Sequence, residues 1–321
     1  MPEPSKVNVS GGDVLERHAS HIAAGDAARF QKVNAEHFGF RHALARQSFF
    51  NVPDLVRLSE RIPDHEGFKY WQSGDIDVSD GWNVRPVKRL TLRETIEGIA
   101  LSNSVVVLKH VEQDPVFGPV LRELLQNVFD AAPKAFQDDV TIGECLIFIN
   151  SPNRKTAYHF DLEPSFLLQV SGEKTAFAWM NGDRTLTTDL ELEDYCAGNT
   201  SAGVYKPHRQ ADAGAYPLSP GDGVHFPSTG PHWVQNGDAV SISVNVNFDL
   251  RSLHSRLQYA YAVNHRMRKL GLNPTSPGER PWIDSAKAGA WATARQARRL
   301  AHEMTGRAKP GDLYPVWRPR R

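Results

Sequence analysis

The feature that most constrains the fold is the pattern of residues 140–248, where most apolar runs are short, β-branched and separated by Gly, Pro, Asn or Asp. Such runs predict antiparallel β-strands joined by turns. The stretch has room for about eight strands, the number that makes a double-sheet jelly roll. We therefore expect a mainly β protein with flanking helices and a jelly-roll core, also called a double-stranded β-helix.

Helical patterns flank this β region on both sides. Residues 14–45 are rich in Ala, Glu, Arg and His and predict scaffold helices, as does the segment "VPDLVRLSERIP". Thr91 followed by Glu94 has the spacing of a capping box, which predicts a helix that ends near Asn103. After the β region the pattern is helical again in "LRSLHSRLQYAYAVNHRMRKLG" and "DSAKAGAWATARQARRLAHEMTG".

Two shorter β elements precede the β region. The segment "FKYWQSGDIDVSDGWNV" predicts a short hairpin or an ordered loop, and "SVVVLKHV" predicts a strand. With 321 residues the chain is long enough to bury a large core. We divide it into a helical scaffold with short β elements (1–103), the jelly-roll core (104–250) and a C-terminal helical region (251–321).

Early in the β region, the sequence "TAYHFD" places His159 and Asp161 two residues apart. In a strand such residues point to the same face, so both side chains can reach one metal ion. Much later, "GDGVHFPSTGPHWVQN" brings His232 into another strand after a Pro-containing bend. Two histidines and one carboxylate on one face of a metal leave three adjacent positions open, which suits non-haem Fe(II). We predict His159, Asp161 and His232 as catalytic metal ligands.

Three other residues compete for these places. His225 and His208 lie in the same β region, and Glu163 follows Asp161 by two residues. Glu163 lies in a predicted turn and His225 lies in the strand before the bend, so both rank second. A His-x-Asp pair taken alone arises often by chance, and its ordinary explanation is the polar end of a strand.

Four linked motifs of this region resemble the JmjC and cupin-like Fe(II)/2-oxoglutarate oxygenases, in particular the asparaginyl hydroxylase of hypoxia-inducible factor and its bacterial relatives. The family pattern is Thr-x-x-His-x-Asp/Glu, an apolar strand with a Gly-x-Lys turn, then Gly-Asp…Pro…His-x-Val-x-Asn, and finally Ser-Val-Asn. Here these motifs read "TAYHFD", "FLLQVSGEK", "GDGVHFPSTGPHWVQN" and "SISVNVNF". The match covers residues 156–248.

The resemblance implies cosubstrate-binding roles for further residues. Lys174 matches the lysine that pairs with the distal carboxylate of 2-oxoglutarate, and Thr156 matches a threonine whose hydroxyl contacts the same carboxylate. A buried dicarboxylate needs such a cation, because an unpaired charge inside a barrel is costly. Asn245 matches the asparagine of the last motif, and Asn247, which has the same strand parity, is its rival. The ordinary explanation for the two asparagines is that they bind each other.

The chain also departs from the family pattern. His225 stands where relatives usually have an aromatic residue, and Ser165 lies near a place where some carry asparagine. The tyrosine that often completes the cosubstrate pocket has no counterpart that the sequence identifies. Without the surrounding motifs, Lys174 would be interpreted as a solvated turn residue and Thr156 as part of a packed strand.

The resemblance implies a dioxygenase that uses Fe(II), 2-oxoglutarate and O2 to hydroxylate an unactivated C–H group. A protein or peptide side chain is the first expected substrate, because the motifs most resemble those of peptide-acting members. The first alternative is a hydroxylase of a free amino acid or a natural-product small molecule. Demethylation of an N-methyl group ranks lower, and a cupin-like protein that binds metal without turnover is the alternative outside enzymes.

Charge and cysteine content limit the partners and the compartment. Lys plus Arg and Asp plus Glu both total 37, so no strong overall field attracts nucleic acid or an anionic membrane. Cys145 and Cys196 are the two cysteines, too few for a disulfide framework. Because we also find no export signal and no membrane-spanning run, we expect a soluble cytoplasmic protein.

The C-terminal region carries two further features. Its apolar residues predict packing on the barrel or the contact of a homodimer; they include Leu253, Leu257, Tyr261, Trp282, Trp291 and Leu300. Residues 295–321 hold a surplus of Lys and Arg, which we interpret as a solvated helix face in preference to a contact with RNA or an acidic partner.

Overall fold

The computed structural model describes residues 21–65, 67–81, 90–304 and 316–320. Within them, ten strands form two antiparallel sheets. The strands are β1 (Phe38–Arg41), β2 (Lys69–Ser73), β3 (Ser104–Lys109), β4 (Val140–Asn150), β5 (Ser165–Ser171), β6 (Lys174–Ala178), β7 (Gly214–Leu218), β8 (Asp222–Phe226), β9 (His232–Asn236) and β10 (Ser241–Leu250). The large sheet has the order β1-β8-β5-β10-β4-β3-β2, and the small sheet has the order β7-β6-β9.

Residues 155–159 add a fourth, irregular strand position to the small sheet. They pair with β9 through two isolated bridges, which join Lys155 to Gln235 and His159 to His232. Counted from β4 to β10, four strand positions then belong to each sheet. This is the eight-strand arrangement of a jelly roll, so the predicted fold class is confirmed.

Side-chain alternation on the large sheet separates an apolar core from the space between the sheets. On β4, Cys145, Ile147 and Ile149 lie in the main apolar cluster, whereas Glu144 and Leu146 line the cavity between the sheets. Successive residues of a strand point to opposite faces. One face can therefore carry the core while the other carries polar groups.

Helices cover the core face of the large sheet and the C-terminal side of the molecule. They are α1 (Ala27–Phe30), α2 (Val52–Arg61), α3 (Leu92–Glu97), α4 (Gly118–Ala131), α5 (Lys134–Asp139), α6 (Asp189–Cys196), α7 (Gln258–Lys269) and α8 (Pro281–Met304). On α4, Leu121, Leu124, Leu125 and Val128 are fully buried in the main cluster. Full burial of a side chain of this kind contributes about 1.5–3 kcal/mol, so this spacing ties α4 firmly to the sheet.

The predicted start of α3 is confirmed and its predicted end is wrong. Thr91 Oγ1 accepts a hydrogen bond from Glu94 N–H, and the Glu94 carboxylate accepts one from Thr91 N–H, which completes the capping box. The helix ends at Glu97, well before Asn103. Gly98 follows it, and glycine is a poor residue for continuing a helix.

Two further expectations for the N-terminal part need correction. Of the stretch predicted as helical, residues 14–20 lie outside the described part, and β1 lies in the remainder and pairs with β8. Phe38 and Phe40 lie two residues apart on one face of β1, and both side chains are buried in the main core. This burial outweighs the helix propensity of the residues around them. Of the segment expected to form a short hairpin or an ordered loop, residues 69–73 form the single strand β2, which pairs with β3, and residues 82–84 lie outside the described part.

The C-terminal helices pack partly against the barrel. Leu253 contacts the main core, while Leu257 and Tyr261 pack in a cluster with Phe160. Trp282, in the first turn of α8, is 72% exposed. Residues 305–315 and 321 of the basic C-terminal segment lie outside what the structure describes, and so does the side chain of Leu300. Among the described residues, no helix has the length and apolar character needed to cross a membrane.

Candidate active site

His159, Asp161 and His232 lie together at one end of the small sheet. Nε2 of His159 is 3.8 Å and Nε2 of His232 is 3.7 Å from Asp161 Oδ2. One potential ligand atom from each residue lies within 4.8 Å of the others. Two imidazoles and one carboxylate at this spacing form a donor set that fits non-haem Fe(II).

The two histidines are neighbours because the 155–159 segment and the start of β9 exchange backbone hydrogen bonds. His159 N–H donates to the His232 carbonyl at 3.1 Å, and His232 N–H donates to the His159 carbonyl at 2.8 Å. The Asp161 carbonyl accepts a hydrogen bond from Thr229 N–H at 2.7 Å, in the bend before β9. The Asp161 side chain is 39% exposed, so the donor set is open on the carboxylate side.

Hydrogen bonds at Nδ1 fix the orientation of both imidazole rings. Nδ1 of His159 lies 2.8 Å from the Ala157 carbonyl, and Nδ1 of His232 lies 3.0 Å from the Gly230 carbonyl. Because a carbonyl oxygen only accepts, each Nδ1 carries the proton and each Nε2 keeps its lone pair for a metal. Burial lowers the pKa of His232 to about 4. At neutral pH this side chain is therefore in the uncharged form that metal binding requires.

Lys174, at the start of β6, places a buried ammonium in the same cavity. The residue is 5% exposed, and its Nζ donates a hydrogen bond to Ser243 Oγ at 2.9 Å. Burial lowers the pKa of Lys174 to about 7. An ammonium has three N–H donors, so Lys174 has capacity for an anion beyond Ser243. A ligand carboxylate at this place offsets the cost of burying the charge.

The spacing between Lys174 and the histidines suits a short dicarboxylate. His232 is the Cα partner of Ala178, and Lys174 lies four residues earlier on the same strand as Ala178, about 13 Å along it. The lysine and both imidazole side chains line the same cavity. A ligand that joins them therefore needs an anionic group at each end of this interval.

The turn before β6 depends on Gly172. This residue has φ +68°, and a Cβ at this position would collide with the Val240 carbonyl oxygen. Glycine adopts positive φ without steric cost, whereas other residues do so at a penalty. The Gly-x-Lys motif therefore has a structural reason, since the glycine allows the turn that delivers Lys174 to the cavity.

Thr156 and Asn236 lie near Lys174 on the small-sheet side. Thr156 Oγ1 accepts a hydrogen bond from Val234 N–H at 2.8 Å, which leaves its O–H able to donate to a carboxylate. Asn236 is the register partner of Lys174, and its Oδ1 is buried with no hydrogen-bond partner in the described part of the chain. Asn236 was not predicted from the sequence.

Asn245 and Asn247 both face the cavity, as their parity on β10 requires. Asn245 Nδ2 donates to Asn247 Oδ1 at 2.7 Å, and Asn247 Nδ2 donates to Glu144 Oε1 at 3.2 Å. The two side chains thus bind each other and Glu144. A contact of either one with the cosubstrate stays a prediction.

His225 lies away from the metal-ligand group. It is fully buried, its Nδ1 lies 2.8 Å from the Ser165 carbonyl, and its Nε2 accepts a hydrogen bond from Asn34 N–H at 2.9 Å. Its ring stacks on Phe166 with centroids 4.3 Å apart. His225 is therefore a core side chain that lies apart from the three candidate ligands.

The other two rivals also lie apart from the ligand atoms. His208 is exposed in a 3-10 helix, Pro207–Asp212. Glu163 lines the cavity but is not part of the three-residue group.

The candidate ligands and cosubstrate residues line one cavity of about 430 Å³ between the sheets. Seven polar side chains that the sequence did not identify lie in its wall: Tyr70, Lys109, Glu144, Asn150, Thr200, Asn236 and Ser243. Tyr70, Val107, Phe148 and Ser243 are successive register partners across β2, β3, β4 and β10. Tyr70 thus lies in the same cross-strand row as Ser243, whose hydroxyl binds Lys174. The alternation of side chains in "FKYWQS" was the available signal. It indicates which face of the sheet Tyr70 lies on, but not which residues lie beside it on the neighbouring strands.

No family model matches the chain, and no curated protein matches its sequence. Among solved structures, it is similar to the Escherichia coli ribosomal oxygenase YcfD, with a TM-score of 0.47 and 13% identity over 91% of this chain and 63% of that chain. A structure of YcfD with cobalt and 2-oxoglutarate gives a TM-score of 0.46 and 16% identity over 91% of this chain and 63% of that one. An oxalate decarboxylase of Lactobacillus farciminis gives a TM-score of 0.24 and 14% identity over 34% of this chain and 25% of that one. The chain spans 63% of the YcfD chain, and similarities this distant assign it neither an activity nor a substrate.

Proposed function

We propose that this chain is an Fe(II)- and 2-oxoglutarate-dependent dioxygenase that hydroxylates an unactivated C–H group. The observation that carries the proposal is the convergence of His159, Asp161 and His232 in one cavity with the buried Lys174 ammonium. The JmjC and cupin-like motifs of the sequence and the jelly-roll fold agree with it.

In this proposal the two histidines and Asp161 hold the iron, and Lys174 with Thr156 holds the far carboxylate of 2-oxoglutarate. When bound, iron and 2-oxoglutarate supply an oxidation by O2 in which a substrate C–H becomes C–OH while 2-oxoglutarate becomes succinate and carbon dioxide. The protein orients the reactants and excludes water. The Nδ1 hydrogen bonds of the histidines keep both rings in the ligand tautomer.

The motifs favour a protein or peptide side chain as the substrate, with a free amino acid or natural-product small molecule as the alternative. A metal-binding protein without turnover is the alternative outside enzymes. It would retain the metal and 2-oxoglutarate and release no succinate.

The test measures Mn(II) and 2-oxoglutarate binding by calorimetry and Fe(II)-dependent succinate release, with and without peptide and amino acid mixtures. We expect His159→Ala to lose metal binding and turnover. His208→Ala, which alters an exposed histidine of the same β region, is the matched control and should keep both. Failure of the unaltered protein to bind metal would overturn the proposal.

We also propose that the C-terminal helices form the contact of a homodimer in a cytoplasmic protein. Leu253 and Leu257 pack within the chain, which leaves the exposed Trp282 as the apolar group to test. Trp282→Ala should lower the mass measured by light scattering. A monomeric mass for the unaltered protein would contradict the dimer.

A further inference from the structure

Two charged side chains on strands of the large sheet line the cavity and have no role in the proposed binding of iron or 2-oxoglutarate. They are Lys109, the last residue of β3, and Glu144 on β4. Lys109 is the register partner of Leu146, and Glu144 lies two residues from Leu146 on the same strand. Both side chains therefore point into the space between the sheets. Diagonal neighbours of this kind have Cα atoms about 7–8 Å apart.

The two charges are close neighbours that do not pair. Glu144 is held by other groups, since its Oε1 accepts from Asn247 and its Oε2 lies 3.4 Å from His110 Nδ1. The Lys109 ammonium has no hydrogen bond or ion pair to any residue that the structure describes. An ammonium only donates hydrogen bonds and a carboxylate only accepts them. A ligand that satisfies both must offer an acceptor and a donor close together.

The position of the pair relative to the metal ligands limits the size of that ligand. Glu144, Asn247, Ser165 and Phe226 are successive register partners across β4, β10, β5 and β8. Phe226 stacks on His232, with ring centroids 4.1 Å apart. Three strand spacings, about 14 Å, therefore separate the Glu144 backbone from the side of the sheet next to the metal ligands. A ligand bound at Glu144 must span part of this distance to place a side chain at the metal ligands.

We propose that Lys109 and Glu144 together determine substrate specificity by binding the α-carbonyl and α-amino groups of an amino acid residue. Lys109 donates to the α-carbonyl or α-carboxylate oxygen, Glu144 accepts from the α-nitrogen, and the side chain extends toward the metal. This inference rests on the proposed function. A ligand with only a positively charged group would be repelled by Lys109, and a ligand with only a negatively charged group would be repelled by Glu144. The residue can belong to a free amino acid or to a peptide, which supply the same two groups.

The experiment uses the full chain with Fe(II) and 2-oxoglutarate and two sets of probes. The first set is the proteinogenic L-amino acids, and the second is their N-acetyl N-methylamides, which imitate residues within a peptide. Succinate release and a mass increase of one oxygen in the probe are measured. We expect at least one set to stimulate turnover. The corresponding amines and carboxylic acids, which lack one of the two α groups, should not stimulate it.

Lys109→Met and Glu144→Gln should each lower kcat/KM for the active probe by about ten- to a hundredfold, as loss of one charge-assisted hydrogen bond requires. The loss should appear in the KM for the probe, whereas the KM for the cosubstrate should stay unchanged. Lys134→Met and Glu97→Gln are matched controls, because both alter exposed residues of helices. Mn(II) binding and thermal unfolding of each variant show whether it is folded. The two substitutions lie on separate strands, β3 and β4, so each tests the proposal separately.

The inference is overturned if neither probe set stimulates turnover, if analogues with a single α group stimulate it equally, or if both variants keep the KM for the probe. The set that stimulates turnover identifies the source of the residue. Failure of the proposed function itself would instead appear as absent binding of Mn(II) and 2-oxoglutarate, which is measured without any probe.

Discussion

The buried ammonium of Lys174 makes 2-oxoglutarate binding depend on pH. In the free protein burial lowers the pKa of Lys174 to about 7, so the charged form is lost as the pH rises through neutrality. The dianionic cosubstrate pairs with the charged form, and its binding raises this pKa again. The affinity should therefore be highest below the pKa of the free protein and should fall above it.

The magnitude follows from the fraction of charged Lys174. With a pKa of about 7, roughly nine-tenths of the side chains are charged at about pH 6 and roughly one-tenth at about pH 8, so the apparent Kd rises by about tenfold between them. Binding at about pH 8 should take up roughly 0.9 proton, and binding at about pH 6 roughly 0.1 proton. The pKa of His232, lowered to about 4, lies below this window.

Calorimetry of the Mn(II)-loaded protein in buffers of different ionisation enthalpy measures both quantities. Lys174→Met should weaken binding at about pH 6 and abolish the proton uptake at about pH 8. Lys134→Met, an exposed lysine, should change neither. A Kd that stays constant across this range, with no proton uptake, would refute the placement of the ligand carboxylate at Lys174.

Three further predictions test other parts of the site. His232→Ala should weaken Mn(II) binding by more than about a hundredfold in calorimetry, and an unchanged affinity would exclude it as a ligand. His225→Phe should leave Mn(II) binding intact but lower the free energy of unfolding in urea by about 2–4 kcal/mol, because Asn34 N–H and the Ser165 carbonyl lose their partners. Loss of metal on this change would contradict a core role. Gly172→Ala should cost about 1–3 kcal/mol in the same assay and raise the Kd for 2-oxoglutarate, and a neutral result in both would show that the turn tolerates a side chain.

Local patterns in the sequence were sufficient for much of the fold. The capping box at Thr91 depends on residues three apart, and strand parity on β10 depends on residues two apart, so both could be identified without knowing any distant contact. The strand β1 could not, because Phe38 and Phe40 adopt extended structure only by pairing with β8, far along the chain.

The same distinction applies to the candidate site. His159, Asp161 and Lys174 belong to motifs with short spacing, and the structure brings them together with His232. Tyr70 was missed because its place beside Ser243 depends on the register of four strands. No short-range pattern in the sequence determines how those four strands align.

The tight turn at Gly172 joins a strand of the large sheet to a strand of the small one, and Lys174 follows it at once. The cation therefore reaches the interior through a backbone conformation that glycine allows. A larger residue at this position would act on the cosubstrate at a distance, since it would move the charge without touching the ligand. Sites of this kind can be inactivated by a change at a residue that never contacts what the site binds.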